Sequence, residues 1–105
     1  VRRVVVESPF AGNWWRRWLN RRYARACLRD CLLRGEAPLA SHLLYPQVLK
    51  DEDPAERDWG IRAGLVWMEF ADASVVYTDR GISSGMKLGI AAAKQAGVAV
   101  EFRKL

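Results

Sequence analysis

The chain has 105 residues, half of them apolar, and carries 17 Lys and Arg against 12 Asp and Glu with a single His, a formal charge of +5. That length fits one domain around one core, spanning residues 1–105, and a single-domain protein rather than a two-domain enzyme is expected. No apolar run approaches the roughly 20 residues of a membrane helix, and the two cysteines are too few for a disulfide scaffold, so a cytoplasmic protein with no membrane partner is expected.

Val4, Val5 and Val6 form a β-branched run that stops at Ser8-Pro9, which suits a strand buried on both faces. After the small-residue loop from Ser8 to Asn13, no Gly or Pro occurs until Gly35, so a long helix is predicted over residues 14–34 with Asn13 as its N-cap. Ala24, Cys27, Leu28 and Cys31 recur at helical spacing as its core stripe, and Arg22, Arg25 and Arg29 share another face. Residues 38–41 read as a short second strand, followed by an ordered loop over residues 42–46. Asp53, Pro54 and Glu56 have the form of a capping box that starts a second helix, which runs to about Ala71. A third strand over residues 74–78, a loop over 79–84, a third helix over 85–96 and a fourth strand over 98–102 complete the chain.

Strands that alternate with helices predict a parallel sheet. The expected architecture is a small doubly wound α/β domain of the flavodoxin or Rossmann type, with three layers, about four parallel strands and three helices. Ligands in such sheets sit beyond the carboxyl ends of the strands, where the strand order reverses. Two segments therefore matter most. Ser8, Pro9, Phe10, Gly12 and Asn13 lead from strand one into a helix N-terminus, whose free N–H groups and dipole favour an anion. Arg80, Ser83, Ser84, Gly85 and Met86 have the same form after strand three. Neither segment matches a dinucleotide fingerprint or a triphosphatase phosphate loop, and each also reads as a bare structural turn. Glu7 and Asp79 end the two strands and His42 follows strand two, which makes these three the candidate catalytic groups.

Glu7-Ser8-Pro9-Phe10-Ala11-Gly12, Tyr23-Ala24-Arg25, the stretch from Ala37 to Gln47, and the stretch from Asp79 to Met86 occur in one order along the chain. Together they resemble a group of short uncharacterised bacterial and phage proteins related to the nucleoside 2-deoxyribosyltransferases and the deoxynucleoside-monophosphate N-hydrolases. The resemblance covers nearly the whole chain. It implies a doubly wound, often oligomeric domain that cleaves or exchanges an N-glycosidic bond, with a nucleoside, nucleotide or related ribosyl compound as partner. One departure stands out. The related enzymes place a nucleophilic Glu early in the helix after the strand-three loop. Here the stretch reads Gly85-Met86-Lys87-Leu88-Gly89, which puts Lys87 or Gly89 at that place, and neither can form a glycosyl ester. Glu7 and Asp79 are the carboxylates that could substitute, if roughly 5 to 9 Å separates them.

Nothing in the sequence calls for a cofactor. A metal site would need His42 brought to Cys27 and Cys31, which read instead as buried thiols on the helix stripe. Charge is uneven: residues 1–34 hold nine arginines and two acids, whereas the remainder holds eight bases and ten acids. Much of that excess lies on the first helix, which opens Trp14-Trp15-Arg16-Arg17-Trp18. Such a cluster reads first as a homo-oligomer contact, then as a base-stacking platform beside the site, and then as a nucleic-acid surface, which is not favoured. Gly60 and Gly64, four apart on the second helix, would let another helix approach closely, again with self-association as an alternative. Three functions follow: an enzyme acting on an N-glycosidic bond, a non-catalytic holder of a nucleotide-derived molecule, and a nucleic-acid binder.

Overall fold

In the computed structural model, which describes all 105 residues, four parallel strands form one sheet in the order β2-β1-β3-β4. These are β1 (Arg3–Glu7), β2 (Ala37–Leu39), β3 (Ala73–Tyr77) and β4 (Ala99–Arg103). Val4, Val5 and Val6 are buried because β1 is an inner strand, with Val5 paired to Leu39 on one side and to Ser74 on the other. All five residues of β3, the other inner strand, are buried. Every second residue faces the same layer. Val4, Val6, Val75 and Tyr77 therefore pack with Cys27 and Cys31, while Val5 packs with Met68 and Ala93 on the opposite face. The doubly wound class is as expected.

There are four helices rather than three: α1 (Trp14–Leu33), α2 (Ser41–Leu44), α3 (Pro54–Met68) and α4 (Ser84–Gln95). The additional one, α2, replaces the loop expected over residues 42–46, and a 3-10 turn follows it over Tyr45–Gln47. One turn of helix carries too few residues to show a 3.6-residue period, so its sequence looks like loop. Asn13 caps α1 as expected, accepting from the Arg16 N–H at 2.9 Å. Gly35 follows that helix with φ +80°, a conformation that favours glycine. At α3 the capping box is only half formed. Asp53 accepts from the Ala55 N–H, but the Glu56 carboxylate turns back to the Lys50 N–H. This helix also ends at Met68, short of Ala71.

Gly60 and Gly64 do permit a close approach, but from within the chain. A Cβ on Gly64 would stand 2.7 Å from Ser41 Oγ, and one on Gly60 would stand 3.3 Å from a Leu49 methyl carbon. The partner of α3 is thus the α2 segment, seated over the carboxyl end of the sheet.

Candidate functional site

A cavity of about 240 Å³ opens beyond the end of β1, where the strand order reverses. Glu7 and Ser8 come from the end of β1, Phe10 and Ala11 from the loop after it, and Ser41, His42 and Tyr45 from the α2 segment. One wall is the inner side of α3, with Gly60, Ile61, Gly64, Leu65 and Met68; the other is the first turns of α4, from Ser83 to Met86 and then Leu88 and Gly89. Asp51, Glu56 and Arg57 stand on the lining as well.

The loop after β1 is held from below. Asn20, buried on α1, donates its amide N–H groups to the carbonyls of Phe10 at 3.2 Å and Ala11 at 3.5 Å. An amide at this position satisfies two loop carbonyls that would otherwise lack partners. Arg17 adds a second tie, bonding Asp51 at 2.8 Å while its guanidinium lies 5.6 Å from the centre of the Phe10 ring. Helix α1 is thereby joined to both edges of the cavity.

Ser8 is buried, and its hydroxyl lies 2.6 Å from His42 Nε2. Burial pushes the His42 pKa down to about 4, so the ring is neutral near pH 7. A neutral imidazole either accepts the Ser8 proton at Nε2 or donates to the hydroxyl oxygen, according to its tautomer. In both cases it fixes the direction of the hydroxyl.

Glu7 has no hydrogen-bond or ion-pair partner, and burial alone pushes its pKa up to about 7. Both protonation states are therefore populated at neutral pH. Its carboxylate lies against Gly89 of α4, in the space where a side chain on residue 89 would begin, and a Cβ there would collide with both of its oxygens. The N-terminus of α4 stands beside it. Ser83 caps that helix by accepting from the Met86 N–H at 3.3 Å, which leaves the Ser84 and Gly85 region of the first turn facing the cavity.

Of the residues singled out from sequence, Glu7, Ser8, Phe10, His42, Ser83, Ser84, Gly85 and Met86 line this one cavity. Pro9, Gly12, Asn13, Asp79 and Arg80 do not. Asn13 serves as the α1 cap. Asp79 stands apart because other groups hold it: it accepts from the Tyr23 hydroxyl at 2.6 Å and from the Leu105 N–H at 3.1 Å, and the Tyr23 bond lowers its pKa. Arg80 sits over the Tyr23 ring, with 5.9 Å to its centre. Trp14, Trp15 and Trp18 are all exposed and none reaches the cavity, so they give no stacking platform inside it. Sequence reasoning missed Asn20, Gly89 as a contact and the α3 wall. The Gly60 and Gly64 spacing was the available signal for that wall, although it pointed to no particular partner.

The parallel sheet in the order β2-β1-β3-β4, with helices on both faces, places the chain in the doubly wound α/β fold class. A family model matches residues 2–103, and the chain belongs to that family, the domain of unknown function DUF7768. Among solved structures, it is similar to a 2-deoxyribosyltransferase from the psychrotolerant bacterium Bacillus psychrosaccharolyticus, a biocatalyst for nucleoside synthesis. That match has a TM-score of 0.69 at 16% identity and covers 97% of this chain and 72% of the transferase, a likeness of fold alone. No curated protein matches the chain.

Proposed function

We propose that residues 1–105 form one unit that binds a nucleoside, nucleotide or related ribosyl compound in this cavity and cleaves or exchanges its N-glycosidic bond, with Glu7 supplying the carboxylate. The observation that carries this reading is the contact between Glu7 and Gly89. The transferases that the sequence resembles bring a nucleophilic Glu from the helix corresponding to α4. Here that helix has a glycine at one of the two candidate positions, and a carboxylate from β1 occupies the space its side chain would take.

In its ionised form Glu7 attacks C1′ of the sugar. The electron pair of the broken C1′–N bond leaves with the base, which takes a proton from water. Water or a second base then displaces the carboxylate from C1′. Ser8, oriented by His42, is placed to hydrogen-bond a sugar hydroxyl, and the first turn of α4 offers N–H groups to a hydroxyl or phosphate. His42 holds Ser8 rather than donating a proton, since a ring with pKa about 4 carries none to give near pH 7.

A second reading, a non-catalytic holder of a nucleotide-derived molecule, is favoured by the count of free carboxylates. Asp51 is paired with Arg17 and Glu56 bonds the Lys50 N–H, so Glu7 alone is unpartnered on the lining. Both readings require binding. A thermal-shift panel of nucleosides and mononucleotides should raise Tm by roughly 10 °C for a ligand present at about 100 times its Kd. A panel in which no member shifts Tm overturns both.

A further inference from the structure

We infer that the outer face of α1 is a binding surface for single-stranded nucleic acid, separate from the cavity. The helix has 20 residues and is about 30 Å long. Asn20, Ala24, Cys27 and Cys31 turn its inner side to the core. Trp14, Trp18, Arg22, Arg25 and Arg29 follow one another at helical spacing on the opposite side, and all five are exposed.

These arginines lack anions. Among the α1 arginines only Arg17 takes part in an ion pair, with Asp51; Arg22, Arg25 and Arg29 take part in none. The one acid of the helix, Asp30, is already bonded by the Tyr77 hydroxyl and by Arg34. A column of desolvatable cations without counter-charge calls for a polyanion.

The aromatic rings say which kind. Trp15 and Trp18 are stacked, with centroids 5.3 Å apart and planes 18° from parallel, and the Arg22 guanidinium covers Trp18 at 5.0 Å. Trp14 meets Trp15 edge-on and is 79% exposed, so its own face is open. The open face of Trp14, at the head of a column of arginines, can stack on an unpaired base while the arginines hold the connecting phosphates by charge. A second copy of the chain fits less well. In a two-fold contact the same patch meets itself, and this one would set arginines against arginines with no carboxylate between them.

The test is fluorescence anisotropy with a labelled oligothymidylate of about 15 nucleotides, long enough for a site of this kind. Saturable binding is expected, with log K falling against log salt at a slope of about −2, or roughly −0.7 for each of three phosphates. Trp14→Ala should weaken it by about 5- to 100-fold. The triple variant Arg22→Gln, Arg25→Gln, Arg29→Gln should flatten the salt slope, and both proteins should keep the wild-type Tm because the altered side chains are exposed. No saturable binding at low salt overturns the inference. So does equal binding of duplex DNA or dextran sulfate with no response to Trp14→Ala, binding to anionic vesicles but not to the oligonucleotide, or a triple variant whose only change is in self-association.

Discussion

Glu7 and His42 are both half-buried without a charged partner, and their shifts run in opposite directions. Glu7 is raised from 4.5 to about 7, so folding favours its neutral form. That contribution is full below about pH 4.5 and is lost as pH rises to about 7. His42 is lowered from 6.5 to about 4, so its neutral form is also favoured. Its contribution is full above about pH 6.5 and is lost as pH falls to about 4. Each shift corresponds to about 3 kcal/mol, and between pH 4.5 and 6.5 the two slopes largely cancel. Wild-type stability should therefore be nearly flat across that window in urea titrations. Glu7→Gln should remove one slope and leave a protein that loses about 3 kcal/mol from pH 7 to pH 4. A variant with the same pH dependence as wild type would show that folding does not raise the Glu7 carboxyl toward pH 7.

At the scale of elements, the cavity depends on two close fits. Gly89→Ala puts a methyl group into the Glu7 carboxylate, and relief requires either Glu7 or α4 to move; a loss of about 1–3 kcal/mol in denaturant unfolding is expected. Asn20→Ala strips the donors from the Phe10 and Ala11 carbonyls, at a cost of about 1–3 kcal/mol, and should weaken ligand binding because the loop after β1 loses its support. An Asn20→Ala protein with unchanged stability and affinity would leave that loop held by something else. Elements of this kind differ in how far the sequence discloses them. The valines of β1, the Asn13 cap and the breaker-free span after it are local signals, and they place β1 and α1 correctly. The α2 segment has four residues and no period, so it reads as loop. Glu7 and His42 were legible as residues at strand ends facing the switch point. Asp79 has the same local sequence logic, yet Tyr23 from α1 and the backbone of Leu105 hold it elsewhere, and those contacts span 56 and 26 positions. Gly89 was legible only as a departure from a motif, because the carboxylate that faces it comes from the other end of the chain.

At the scale of the whole molecule, the two exposed helix faces differ in chemistry. Helix α1 shows arginine and tryptophan, whereas α3 shows Trp59, Val66 and Trp67, with Phe70 just beyond its end. The homo-oligomer expected from the sequence is proposed through α3 rather than α1, since an apolar patch can meet its own copy without opposing like charges. Because the inner side of α3 walls the cavity, pairing on its outer side would hold that wall in place. Sedimentation equilibrium should then show a dimer that Val66→Asp dissociates, and a monomer at all concentrations contradicts this. The charge excess of the first third of the chain belongs to the outer surface, while the cavity lining holds three carboxylates against Arg57 as its one full cation. Of these carboxylates, Glu7 is the one proposed to act on a glycosidic bond. Chromatographic release of free base from a panel of 2′-deoxynucleosides tests it most directly, with wild type and Glu7→Gln compared at equal ligand occupancy. Release by wild type is expected, with a loss of at least about 100-fold in Glu7→Gln and binding retained; release undiminished in Glu7→Gln, or binding with no release by wild type, would overturn this role of Glu7.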